Sequence, residues 1–350
     1  MKTNKPYQQG RVQAVLALCL ALWMSPFCHL MAKSYDNPDT LFVARDGTGE
    51  FRTVNEAVEV CRAFMEYHKV IFVKKGVYKE KVVIPSWLTH IEICGEDAEQ
   101  TIITYDDHAN VRIPKIGYDS SSPQGGIEGG YQSMGTFRTY TVKVEGNDIT
   151  FKNITIENNA ARLGQAVALH TEGDHLVFIN CRLLGNQDTV YTGVANTRLY
   201  FLNCYIEGTT DFIFGPSTAW FEGCTIKSKI NSYVTAASTP QDVSYGYIFN
   251  HCKLIADQAA NQVYLGRPWR PYAYTLFMNC ELGKHILPEG WHNWGKKDNE
   301  QTSRYLEYNN TGEGAATQGR APWSRQLSKK EAAKITLKEV FRQDNSWLPE

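Results

Sequence analysis

Six segments of this chain can be laid over one another, and their spacing limits the fold more than any other feature. They are Ile149 to Glu157, Leu176 to Leu184, Leu199 to Glu207, Ala219 to Lys227, Tyr247 to Ile255 and Thr275 to Gly283. Ile154 and then Cys181, Cys204, Cys224, Cys252 and Cys280 occupy the same place in each, at intervals of 27, 23, 20, 28 and 28 residues. A degenerate repeat of that length, built from short strand-like runs without intervening helices, is the signature of a solenoid and predicts an all-β parallel β-helix. Each repeat is then one coil, and equivalent positions stack. Stacking turns the cysteines and Ile154 into an inward ladder of small apolar groups. Asn153, Asn180, Asn203 and Asn279 form an amide ladder at a turn.

The flanks of the repeat read as caps and excursions. Thr53-Val54-Asn55-Glu56 is a capping box ahead of apolar Val54, Ala57, Val58, Cys61 and Met65, which predicts a short amphipathic helix. Strand-like runs begin at Leu41 to Val43, continue through Val70 to Val73, Lys81 to Ile84 and His90 to Gly95, with a turn at Gly76, and are expected to end near residue 282. Ile116 to Thr136, rich in Gly and Ser, reads as a surface loop, either an excursion between coils or the border of a cleft. Beyond Gly290 come Trp291, Trp294, Tyr305 and Tyr308, then capping boxes at Ser328 to Glu331 and Thr336 to Glu339, so the tail is expected to carry short helices that fold back on the solenoid. Both ends of a β-helix are open sheet edges, and the early helix and the tail are suited to cover them.

Residues 1 to 32 read as a secretory signal: Lys2, Lys5 and Arg11 precede an apolar run from Val12 to Met24, and Ala32 offers a small residue for cleavage. The apolar run is short for a membrane span, and Cys19 and Cys28 lack the small neighbours of a lipid-attachment box. Residues 33 to 350 then form a single domain, expected as an exported monomer in the periplasm, at the cell surface or in the medium. Without the leader, 33 Lys and Arg face 37 Asp and Glu, a net charge of −4 that offers no basic field to nucleic acid. Seven cysteines remain, an odd number without a CxxC pair, so packing is the expected role and neither a disulfide framework nor zinc. His68, His108, His251 and His285 show no metal-ligand spacing, and no cofactor is expected.

Chemistry concentrates in Leu183 to Gly215. Asp188 and Asp211 lie 23 residues apart, each seven residues after its cysteine, so stacking puts them about one strand spacing, roughly 4.8 Å, from one another. Two carboxyl groups that close titrate as a pair, with one held protonated. Gln165 precedes Cys181 by 16 residues as Asp188 precedes Cys204, and Arg267 precedes Cys280 by 13 as Asp211 precedes Cys224, which predicts one shared face. Gln187, Tyr191, Phe214 and Trp269 accompany them. Rings that stack on sugar faces, with polar groups at one bond, suit a carbohydrate. A carboxyl pair serves a retaining glycosidase or an ester hydrolase. The two amides favour the ester, because an acyl intermediate has an oxyanion to stabilise and an oxocarbenium ion has none. A β-helix glycosidase or lyase, and a solenoid that only binds the polymer, are the other readings.

Gln165-Ala-Val-Ala-Leu169, Gly185-Asn-Gln-Asp188-Thr-Val-Tyr191, Asp211-Phe-Ile-Phe-Gly215 and Leu265-Gly-Arg267-Pro-Trp269, in that order, resemble the signature set of the pectin methylesterases. Gly76-Val-Tyr-Lys-Glu80 and Glu307-Tyr-Asn-Asn-Thr-Gly312 extend the resemblance over about residues 40 to 348. It implies a right-handed parallel β-helix and metal-free hydrolysis of the methyl esters of galacturonate in pectin (homogalacturonan). By motif, Asp211 resembles the nucleophile and Asp188 the general acid and then base. Gln165 and Gln187 resemble the oxyanion donors and Arg267 the group that orients the nucleophile and keeps it ionised. Trp269, Tyr191 and Phe214 would line the sugar groove. His170 stands where many members carry Arg, a change expected to affect packing. Val234 to Gln241 looks more like the bacterial branch of the family.

Overall fold

The computed structural model describes residues 40–114 and 131–349. The expected leader and most of the Gly-rich loop lie outside the described residues. Three parallel sheets of eleven, eight and seven strands run the length of the molecule, and each full coil gives one strand to each. Arg198–Leu202, Tyr205–Gly208 and Ile213–Gly215 form one such coil, and Thr218–Glu222, Thr225–Ser228 and Tyr233–Ala237 form the next. Their registers are Phe201 with Phe221, Ile206 with Ile226 and Ile213 with Thr235. This is the expected right-handed parallel β-helix.

At one turn of each coil a single residue turns the chain sharply. Asn153, Asn180, Asn203, Gly223, His251, Asn279 and Asn309 all have φ between 51° and 61°, in the left-handed region that Gly and Asn enter most readily. Asn180 donates to Asn153 at 2.8 Å and Asn309 to Asn279 at 2.9 Å, as an amide ladder requires. The ladder is not continuous, however. Gly223 has no amide to offer, and Asn279 donates to Asn250 because His251 occupies the stacked position.

The residue after each of these turns points inward. Cys181, Cys204, Cys224, Cys252 and Cys280 are free and buried. Each thiol donates to a carbonyl of the preceding coil, from Phe151, Phe178, Phe201, Phe221 and Phe249, at 3.3–3.5 Å. Beside them runs a second ladder. Phe151, Phe178, Phe201, Phe221, Phe249 and Phe277 stack nearly parallel, with ring centres 5.4, 4.7, 4.6, 4.4 and 4.4 Å apart. Each stacked pair contributes about 1 kcal/mol beyond the area it buries.

The ends largely follow the capping signals. Thr53 and Glu56 close a reciprocal box on the helix Val54–Glu59, which buries Val54, Ala57 and Val58. Ser328 and Glu331 do the same for Lys329–Ala332, whereas at Leu337–Val340 only the Thr336 half of the box forms. The tail packs Ala332, Val340 and Phe341 on the outer face of the long sheet, against Val177, Tyr200, Trp220 and Ile248. Two expectations need correction. Gly76 begins a strand, Gly76–Lys79. The long sheet also continues past residue 282 through Arg304–Tyr308 and Arg325–Gln326. These late strands pair by backbone hydrogen bonds although the cysteine pattern has ended, so the repeat did not announce them.

Candidate active site

Asp188 and Asp211 occupy the same turn of successive coils. Val190 pairs with Ile213 and Tyr191 with Phe214, and each aspartate lies two residues ahead of its strand. Their separation is therefore one strand spacing, about 4.8 Å along the backbone. The amide of Asp188 donates to the Thr210 carbonyl at 3.1 Å and that of Asp211 to the Tyr233 carbonyl at 2.9 Å, which ties both turns to the coil beyond. Both aspartates are left-handed, with φ of 68° and 50°. Gly208 allows the two turns to meet: a Cβ there would lie 2.2 Å from the Phe212 Cβ and 2.7 Å from the Asn186 carbonyl oxygen.

The two carboxyl groups differ in their partners. Arg267 grips Asp211 with a fork, Nε to Oδ1 at 2.9 Å and Nη2 to Oδ2 at 2.6 Å. Its guanidinium carbon lies 3.9 Å from the ring centre of Tyr233 and 3.7 Å from that of Trp294, so the cation is held between two aromatic faces. Asp188 has no such clamp. Burial pushes both carboxyls above the ordinary range; Asp188 goes well above it because the Asp211 charge adds to burial, opposed by Arg267 and a Gln187 hydrogen bond. Asp211 is raised by burial while the hydrogen bonds and charge of Arg267 oppose the shift. Environment thus assigns the proton to Asp188 and the charge to Asp211.

A cleft of about 230 Å³ opens over this pair. Gln165, Gln187, Asp188, Asp211, Phe214, Arg267 and Trp269 all line it, so seven of the eight residues singled out in the sequence share one face. Tyr191 is not among the lining residues. It stands beside them, stacked on Phe214 at 4.7 Å and edge-on to Trp269 at 6.5 Å. The equal spacings do not all mean equal places. Leu169 pairs with Val190, so Gln165 lies four residues ahead of its strand where Asp188 lies two ahead of its own. Arg267 follows its strand, Tyr264–Gly266, and reaches back across the coil of Tyr233 to Asp211.

Thr136, Phe137, Ala236 and Trp294 also line the cleft and were not singled out in the sequence. Phe137 packs on Tyr191 at 4.8 Å from the rim of the Gly-rich excursion, whose described flanks, Arg112–Pro114 and Tyr131–Ser133, form an antiparallel pair. His170 is buried beneath Tyr191 with its Nε2 3.0 Å from Glu172, and burial pulls it down to about 4. It does not line the cleft. Among the described residues, no group of three or more His, Cys, Asp or Glu is placed to hold a metal ion, and no helix is long and apolar enough to cross a membrane.

Fold and cleft together define a class: a parallel β-helix that presents a carboxyl pair, side-chain amides and aromatic rings on one open face. The family model described as Pectinesterase matches residues 40–125 and 124–344. Over 310 residues the chain is 36% identical to pectinesterase 31 of Arabidopsis thaliana, covering 87% of this chain and 94% of that protein. It is 35% identical to a probable pectinesterase/pectinesterase inhibitor of Brassica napus, but spans only 52% of that longer chain. Among solved structures it is similar to the pectin methylesterase from carrot, with a TM-score of 0.78 and 31% identity over 90% of this chain and 96% of that one. It is also similar to the pectin methylesterase from Yersinia enterocolitica, with a TM-score of 0.70 and 28% identity over 84% and 100%. The chain belongs to the pectinesterase family, and it is an enzyme of the pectinesterase type. The expected bacterial-type branch finds no support, since the curated relatives named here are plant proteins and the carrot structure is the more similar of the two.

Proposed function

We propose that this protein hydrolyses the methyl esters of galacturonate units in pectin, releasing methanol, with Asp211 as nucleophile and Asp188 as general acid and then base. The reading rests on one observation above the others: of two stacked carboxyl groups, Arg267 clamps only Asp211. The clamped carboxylate attacks the ester carbonyl carbon, and the carbonyl oxygen becomes an oxyanion within reach of the Gln165 and Gln187 amides. Collapse of that intermediate breaks the bond to the methoxy oxygen, which takes the Asp188 proton and leaves as methanol. The product is an anhydride between Asp211 and the galacturonyl group. Asp188, now a carboxylate, takes a proton from water as the water adds to the galacturonyl carbon, and Asp211 leaves as the carboxylate it was at the start. Trp269 and Phe214 supply faces for the sugar rings, and Tyr191 backs Phe214. Residues 1 to 32 support export, and residues 33 to 350 act as one catalytic domain and as a monomer.

Incubation with highly methylated pectin tests the reading. Methanol release without new reducing ends or unsaturated products is the expected outcome. New reducing ends or unsaturated products mean backbone cleavage, and binding without any product means a solenoid that only holds the polymer.

A further inference from the structure

The Arg267 clamp on Asp211 is itself held, and what holds it lies outside the cleft. Both faces of the guanidinium are covered, by Tyr233 at 3.9 Å and by Trp294 at 3.7 Å. The two rings are secured differently. Tyr233 stands on the strand Tyr233–Ala237, stacked at 5.4 Å on Tyr264, its register partner in the next coil. Trp294 lies in no strand or helix. It has a left-handed backbone, φ 63°, which a bulky residue keeps only where its surroundings impose it.

His292 supplies that constraint. The Trp294 amide donates to the His292 Nδ1 at 3.0 Å, a side chain accepting from the backbone two residues on, as in an Asx turn. The His292 amide donates in turn to the Gly266 carbonyl at 3.1 Å, which anchors the turn where Arg267 leaves its strand. The His292 ring packs on Tyr233 and Tyr264, its centre 5.3 Å from each. A single imidazole therefore bonds the residue on one side of the guanidinium and packs against the ring on the other. It is not among the residues that line the cleft.

The bond also fixes the form of the imidazole. Nδ1 accepts only when it carries no proton, so the ring is neutral with its hydrogen on Nε2. The titratable and charged groups that face it are the Tyr233 and Tyr264 phenols and the Arg267 cation. Among the described residues, no salt bridge involves His292. Burial and the Arg267 charge both hold it below the ordinary histidine range, in the accepting form.

Resting on the esterase reading, we infer that His292 is a positioning residue for the nucleophile: by fixing Trp294 and backing Tyr233, it keeps the Arg267 guanidinium aligned with the Asp211 carboxylate. Arg267 reaches back across a coil to Asp211, and its fork of two hydrogen bonds is specific in geometry. A loosened clamp misorients Asp211 and also makes it easier to protonate, because Arg267 is what opposes the effect of burial there.

Two substitutions at this partly buried position separate positioning from packing. His292→Leu keeps bulk and removes the acceptor, whereas His292→Asn gives up the ring and returns an acceptor, Oδ1, at the place of Nδ1. Methanol release from highly methylated pectin is followed from acid to neutral pH, beside hydrogen exchange of the Trp294 amide, in the full chain. His292→Leu is expected to lose about tenfold in kcat and to raise the pH of half-maximal kcat on the acid side by about 0.5. Its Trp294 amide should exchange faster, and His292→Asn should return all three readouts towards the wild type. A residue that merely packs would lower the melting temperature and leave the acid limb in place. An unmoved acid limb in His292→Leu overturns the inference while the esterase reading stands. The same follows if His292→Asn protects the Trp294 amide yet is as impaired as His292→Leu. A wild type that releases no methanol sinks the esterase reading and the inference with it.

Discussion

Two sets of stacked side chains lie a few residues apart in this β-helix. Cys181, Cys204 and Cys224 follow the left-handed turn of successive coils and face the interior; Asp188 and Asp211 are themselves left-handed residues of a later turn and face a cleft. In both, the coil places like groups about 4.8 Å apart. The thiols are neutral, and each finds a carbonyl of the preceding coil, so stacking gives them only packing. The carboxyls cannot share a charge at that distance, so stacking forces them into unlike protonation states, and Arg267 decides which one ionises. One geometric rule thus yields an inert column or a reactive pair, according to the side chain placed on it.

Breaking the pair at its charged member should have the largest effect. Asp211→Asn is expected to lower methanol release by roughly 10³-fold or more while the protein still binds polymer, measured by turnover beside a pull-down on pectin. Gln187→Ala should lower kcat by roughly 100-fold if its amide meets the oxyanion, and a change confined to KM would assign it to ground-state binding instead. On the inert side, Cys224→Ala should leave turnover near that of the wild type and lower stability by about 1 kcal/mol, read by denaturant unfolding.

The pair also carries a signature in pH. Activity needs Asp211 ionised and Asp188 protonated, so kcat should fall on the acid side as Asp211 gains a proton and on the alkaline side as Asp188 loses its own. For stability the sign is the opposite of that for a salt-bridged aspartate. A carboxyl whose folded pKa is raised binds more protons in the folded state, so stability declines as pH rises from its unfolded value through its folded one. Asp188→Asn removes the buried ionisation, and it should therefore melt higher than the wild type at neutral pH. The advantage should vanish as pH falls to the ordinary carboxylate range, a comparison that calorimetry at two pH values makes directly.

How much of this could be read in the sequence depended on whether a residue belongs to the repeat. Asp188 and Asp211 sit at the same offset within consecutive coils, so the spacing alone placed them together. The phenylalanine column is equally regular, three residues before each cysteine. Equal spacing misled where turn lengths differ: Gln165 reaches the cleft from two residues earlier in its turn than the count implied. Trp294 and Phe137 were not legible as site residues, because one follows the last cysteine, where only the isolated bridge of Trp291 to Gly266 carries the register on, and the other lies beside an excursion. Tyr233 lies on a coil, but only the reach of Arg267 back to Asp211 makes its ring part of the clamp. Long side chains and segments outside the repeat are what a period cannot place.

The division of labour between the two carboxyls is tested most directly by the first turnover of an activated ester, such as a 4-nitrophenyl ester of an oligogalacturonate, whose alcohol leaves without needing a proton. Stopped-flow absorbance would follow alcohol release by Asp188→Asn and Asp211→Asn. With Asp211 as nucleophile, Asp188→Asn should release about one equivalent in a burst and then stall, while Asp211→Asn should show no burst. A burst from Asp211→Asn, or none from Asp188→Asn beside an active wild type, would contradict the assignment.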